Sequence, residues 1–144
     1  MTGYVVDASV AVKWLVTEAY SEQAVRLLRG GITCIAPDLL FAEAGNALWA
    51  MCRRGDFNKD DYAEAMNVLK EAPVAVPVST SSLIGAAGRL ALDLDHPVYD
   101  CVYLALALQE GYPVVTADKR FHDVVNRHPY LADRIAHVRD LAET

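Results

Sequence analysis

A chain of 144 residues is long enough for one domain with a core that needs no covalent staple, and 53% hydrophobic content argues for a well-packed globule. No apolar run reaches the length of a bilayer span, and Met1 to Tyr4 carries no basic lead into a signal sequence, so a cytoplasmic protein is expected. The formal net charge of -6 speaks against a broadly basic nucleic-acid binder, but it is compatible with local basic patches if several acids gather in one cation site.

Tyr4-Val5-Val6 reads as a short buried strand that ends at Asp7, and Ser9 can cap a helix from Val10 to Thr17. An acid directly after a buried strand projects from the carboxyl edge of a sheet, although a turn aspartate held by backbone N–H groups gives the same pattern. Lys13 lies in that helix, where it either faces water or reaches a phosphate. A second helix, Ser21 to Arg29, closes at Gly30-Gly31, and Thr33 to Ala36 reads as the second strand.

Pro37-Asp38 opens a long helix from Leu39 to about Arg54. Glu43 is the only ionisable group in its apolar segment L-L-F-A-E-A-G-N-A-L-W-A-M, a costly placement unless it is paired, protonated or bound to a cation. Asn46 is three residues on and shares its face. Arg53-Arg54-Gly55 suits the end of that helix, as solvated cap or phosphate contact. Asn58 with Asp61 resembles a capping box for a helix running to Glu71, and Val74 to Val78 reads as a marginal strand interrupted by Pro77. Ser79 or Thr80 can cap a helix to about Leu94, in which Gly85 and Gly88 suggest the close approach of another element.

Asp100 stands at the start of a helix that is apolar almost all round from Cys101 to Leu108 and is stopped by Gly111 and Pro113. Val114-Val115-Thr116 is then a buried parallel strand, and Asp118 follows it as Asp7 follows the first strand. Taken singly, Asp100 could serve a helix dipole and Asp118 could cap a helix from Lys119 to Asn126. Ile135 to Val138 is a last short strand. Cys34, Cys52 and Cys101 are odd in number and set among apolar neighbours, as packing residues are. His96, His122, His128 and His137 form no histidine pair at helical spacing, which argues against a histidine metal site.

Alternating strands and helices predict a parallel sheet, with Asp7 and Asp118 at one edge and Glu43 and Asp100 brought there by helices. At about 4 Å and an effective dielectric near 20, each carboxylate pair would repel by about 4 kcal/mol, so such a cluster needs protons or a cation. Oxygen ligands without His or Cys favour Mg²⁺ or Mn²⁺, which keep positions open for phosphate.

The segments V-V-D-A-S at Asp7, A-E-A-G-N at Glu43, Y-D-C-V-Y-L-A-L-A at Asp100 and V-T-A-D-K-R-F at Asp118 together resemble PIN domains, and above all the VapC group of bacterial toxin–antitoxin ribonucleases. The resemblance covers nearly the whole chain and implies a single PIN domain over residues 1–144, a three-layer α/β/α fold around a five-stranded parallel sheet. It also implies Mg²⁺- or Mn²⁺-dependent cleavage of RNA, a homodimer and a neutralising antitoxin. Carried over to this chain, Asp7, Glu43, Asp100 and Asp118 are the catalytic, metal-holding acids, and Ser9, Asn46 and Thr116 support them. Asp123 either joins them or faces water. Two other classes share the same acids: a metal-dependent small phosphoester hydrolase, and an inactive PIN-like interaction module whose ion is structural or absent.

Overall fold

In the computed structural model, which describes residues 2–141, the first apolar run forms β1 (Thr2–Val6). On one side it pairs with β2 (Ile32–Ile35) and on the other with β3 (Val114–Thr116), while β4 (Ile135–His137) lies beyond β3. All pairings are parallel, in the order β2-β1-β3-β4. Val5 stands opposite Ile35 on one side and Val114 on the other, so buried branched side chains fill the middle of the sheet.

Parallel neighbours must be joined by crossovers. The first contains α1 (Ala8–Ala11), a 3₁₀ turn (Val12–Trp14) and α2 (Ser21–Arg26). The second contains α3 (Leu39–Arg54), α4 (Tyr62–Glu71), α5 (Thr80–Leu94) and α6 (Val98–Glu110). The third is α7 (Lys119–Asn126). Since β1 to β2 and β3 to β4 step in opposite directions, right-handed crossovers put their helices on opposite faces and give three layers. The strand order reverses between β1 and β3, and the crevice above their carboxyl ends is where such sheets place ligands.

α6 is the central helix of the core: every side chain from Cys101 to Ala107 is buried, as its uniformly apolar sequence requires. It ends at Gly111, whose φ of +78° is left-handed backbone that glycine tolerates. It packs on α5 along much of its length and also touches β1 and β3. All three cysteines are free, with Cys34 and Cys101 buried. Among the described residues no helix is long and apolar enough to cross a membrane.

Several local expectations are corrected. The sheet has four strands rather than five, because Val74 to Val78 contributes one bridge, Ala75 to Ile35. Ala75 donates to Cys34 and accepts from Ala36, both at 3.0 Å, but Pro73 and Pro77 have no N–H to extend the ladder. The first helix is capped by Asp7 instead of Ser9, and it tightens into a 3₁₀ turn at Val12 without reaching Thr17. The second helix stops at Arg26, short of Arg29. Asn58 accepts from the Asp60 N–H at 2.9 Å and caps a 3₁₀ turn (Lys59–Asp61), so no reciprocal box with Asp61 forms. Gly85 and Gly88 are crowded by no other element: a Cβ at Gly88 would meet nothing within 4 Å, and one at Gly85 only its own helix's Arg89 at 4.0 Å. The glycines that other elements approach lie elsewhere: Gly3 of β1 packs against the Tyr112 ring, and Gly45 of α3 accepts at its carbonyl from the Tyr62 hydroxyl at 2.8 Å.

Candidate active site

Asp7 is the N-cap of α1, and it is nearly inaccessible at 4% exposure because β1 delivers it straight out of the core. Its Oδ1 accepts from the Ser9 hydroxyl at 2.6 Å and from the Val10 N–H at 3.2 Å. Ser9 also accepts from the Ala117 N–H at 2.9 Å and lies 3.3 Å from the Thr116 hydroxyl, so the chain leaving β1 is tied to the chain leaving β3. Burial pushes the Asp7 carboxyl up to about 7; the hydrogen bonds from Ser9, Thr116 and Val10 oppose that rise, and the Asp100 charge adds to it.

The helices supply the next two acids. Glu43, one turn into α3, accepts from the Tyr103 hydroxyl of α6 at 2.7 Å. Tyr103 is 1% exposed, and burial together with the Glu43, Asp7 and Asp100 charges holds its hydroxyl far above the usual tyrosine range, so it stays a donor. Asp100, in the first turn of α6, meets His96 Nε2 at 2.7 Å. Glu43 and Asp100 are both raised above their ordinary values, chiefly by burial; the Asp100 charge raises Glu43 further, and the Asp118 charge raises Asp100.

Asp118 is the outermost of the four. It caps α7, with Oδ1 accepting from the Phe121 N–H at 3.2 Å and its own N–H donating to Thr116 Oγ1 at 3.0 Å. The four acids therefore line a slope, from buried Asp7 through half-buried Glu43 and Asp100 to exposed Asp118, above the point where the strand order reverses. Asp100 is the hub, since its charge is felt by Asp7 and Glu43 and it feels that of Asp118.

Ser9 and Thr116 sit beside Asp7, as expected of supporting groups. Asn46 does not: it is exposed and makes no hydrogen bond to these acids, because α3 turns it toward solvent. Lys13 is buried and paired with Glu18 at 3.0 Å rather than left on a solvated face. Asp123 pairs with Lys119 at 3.1 Å and His122 at 3.3 Å. Tyr103 and His96 escaped sequence reasoning. Each had a local signal, since Tyr103 is one helical turn from Asp100 and His96 precedes it by four residues, across Pro97. A groove of about 830 Å³ runs past His96 along α7, between Asp95 and the cations Lys119, Arg120 and Arg127.

Among the described residues, no group of three or more His, Cys, Asp or Glu side chains is arranged to hold a metal ion. The donor chemistry nevertheless suits a hard cation. Glu43, Asp100 and Asp118 each accept the chain's hydrogen bonds on one oxygen, which leaves the other as a ligand, and added positive charge would relieve the burial of the acids.

Residues 4–126 match the PIN domain family, a span that includes all four acids. The chain is 35% identical over 117 residues to Ribonuclease VapC3 of Pyrobaculum aerophilum, covering 81% of this chain and 89% of that one. Its fold is similar to that in the crystal structure of VapBC2 from Rickettsia felis bound to a DNA fragment from their promoter, with TM-score 0.65, 15% identity and coverage of 94% of this chain and 98% of that one. It is also similar to Mycobacterium tuberculosis VapC20, a Sarcin-Ricin loop cleaving toxin, with TM-score 0.63, 17% identity and coverage of 85% and 94%. On the match from Tyr4 to Asn126, this chain belongs to the PIN domain family.

Proposed function

We propose that residues 1–144 form one PIN domain that acts as an endoribonuclease toxin, hydrolysing RNA phosphodiesters with Mg²⁺ or Mn²⁺ held by Asp7, Glu43, Asp100 and Asp118. What carries this reading is the coupling of Asp100 to the charges of Asp7, Glu43 and Asp118 beside the β1–β3 crevice, where burial and neighbouring carboxylates raise three of the four. A bound ion of this class neutralises a phosphodiester, acidifies water and stabilises the leaving oxygen. The chain's own part is to hold the ligands. Ser9 and the Val10 N–H orient Asp7, Tyr103 orients Glu43, His96 orients Asp100, and the Phe121 N–H orients Asp118.

Kinship with Ribonuclease VapC3 supports RNA as the substrate, and the fold shared with a toxin supports the toxin role. The fold shared with VapBC2 fits a protein partner acting as antitoxin. A planar guanidinium from such a partner would suit this acidic crevice, since it can bridge two carboxylates and take the place of the ion. Action in the cytoplasm as a homodimer belongs to the same reading.

The test is cleavage of RNA by the partner-free chain in Mn²⁺, with and without chelator, followed by end analysis. Cleavage that stops with chelation and leaves 5′-phosphate and 3′-hydroxyl ends is expected. Undiminished cleavage in chelator, or 2′,3′-cyclic phosphate ends, would refute the assignment.

A further inference from the structure

The four acids are not equally anchored. Asp7 and Glu43 are held by groups in the core, whereas Asp100 and Asp118 stand at the starts of two different helices. What joins those helix ends is one stack of two rings. His96 occupies the link between α5 and α6, where the left-handed Asp95 (φ +51°) ends α5 and the His96 N–H returns to the Ala91 carbonyl at 3.1 Å. Pro97 then restricts the His96 backbone and starts α6. The backbone thus places the imidazole in one spot, 7% exposed.

There its ring lies flat on Phe121 of α7, with centroids 5.2 Å apart and planes 14° apart, and Phe121 is fully buried. The edge of the same imidazole reaches Asp100 Oδ2 at 2.7 Å, while the backbone N–H of Phe121 reaches Asp118 Oδ1 at 3.2 Å. An ionised carboxylate only accepts, so Nε2 carries the proton and donates. One residue, Phe121, therefore holds Asp118 through its backbone and Asp100 through the imidazole stacked on its ring. We propose that His96, braced by Phe121, is a positioning residue that sets Asp100 against Asp118 and leaves one oxygen of Asp100 free for the cation. This rests on reading the acids as a cation site for RNA cleavage.

Two variants separate the ring from the donor. His96→Phe keeps the stack and removes the hydrogen bond, while His96→Gln keeps an N–H donor near the Nε2 position and gives up the stack. Mn²⁺ affinity, read from the spectroscopic signal of free Mn²⁺ without RNA, is the primary measurement. For His96→Phe it should weaken by about 10- to 100-fold, the usual effect of losing a group that orients a ligand. The KM for RNA and the melting temperature in chelator should stay near wild type, and kcat at limiting Mn²⁺ should fall with the affinity. His96→Gln should recover part of the loss. In an Asp100→Asn background, His96→Phe should change affinity less than about twofold, because it acts through that carboxylate. Wild-type Mn²⁺ affinity in His96→Phe would overturn the proposal, as would an equal loss with and without Asp100. If wild type binds Mn²⁺ but cuts no RNA, the nuclease reading fails while the affinity comparison still decides the role of His96. If wild type binds no Mn²⁺, both fail.

Discussion

Replacing Asp7 by Asn should stabilise the metal-free protein at alkaline pH, against the usual outcome for a substitution at a buried position. Asparagine caps helices about as well as aspartate, and its carbonyl oxygen can still accept from Ser9 and the Val10 N–H, so the local structure is kept. What disappears is the ionisation. The carboxyl titrates near 7 in the fold against 3.8 for the ordinary group, so the native state binds this proton more tightly than the unfolded chain. Its contribution to stability is complete below the unfolded value and is lost as pH rises through the folded one. That difference in proton affinity corresponds to about 4 kcal/mol, against which the dipole of α1 returns about 0.3 to 1 kcal/mol to the ionised form. In chelator the variant should match wild type near pH 4 and exceed it by about 2 to 4 kcal/mol near pH 8, roughly 10 °C in melting temperature. Excess Mn²⁺ should reverse the order, since only wild type keeps all four ligands. A variant that melts at or below wild type in chelator near pH 8, with the same pH slope, would refute the reasoning.

Three further outcomes follow from the same geometry. Mn²⁺ affinity of wild type should rise as pH passes through about 7, where Asp7 gives up its proton, and this rise should be absent in Asp7→Asn; titrations at several pH values check both. Tyr103→Phe removes the donor to Glu43 and should slow RNA cleavage by about 10- to 100-fold while costing only about 1 kcal/mol in chelator, read from kinetics beside denaturant melts. Gly3→Ala would drive a Cβ into the Tyr112 ring and should destabilise by about 1 to 3 kcal/mol, a cost that Tyr112→Ala in the same chain should relieve.

The features that could be read from the chain were those whose cause is local. A β-branched run that stops at an acid marks a sheet edge on its own, which is why Asp7 and Asp118 were found and why β1 and β3 lie where expected. Glu43 announced itself by the cost of a charge among apolar neighbours, and α6 by its apolar circumference. Partners distant in sequence left no such mark: nothing near Glu43 names Tyr103, 60 residues away, as its donor. Nor does His96 reveal that it lies against Phe121. The Val74 to Val78 strand failed for a competing local reason, the prolines at its two ends, and Gly85 and Gly88 show that a small residue marks close approach only where a neighbour exists. Asn46 shares a helix face with Glu43 by spacing alone, and in the fold it is exposed and bonded to none of the four acids.

The most direct measurement is anomalous diffraction from crystals of the wild-type chain equilibrated with Mn²⁺. The account predicts a peak at the β1–β3 crevice with carboxylate oxygens of Asp7, Glu43, Asp100 and Asp118 around it, and loss of that peak in Asp7→Asn crystals. A crevice without a peak at saturating Mn²⁺, or an ion bound elsewhere while RNA is still cut, would contradict it.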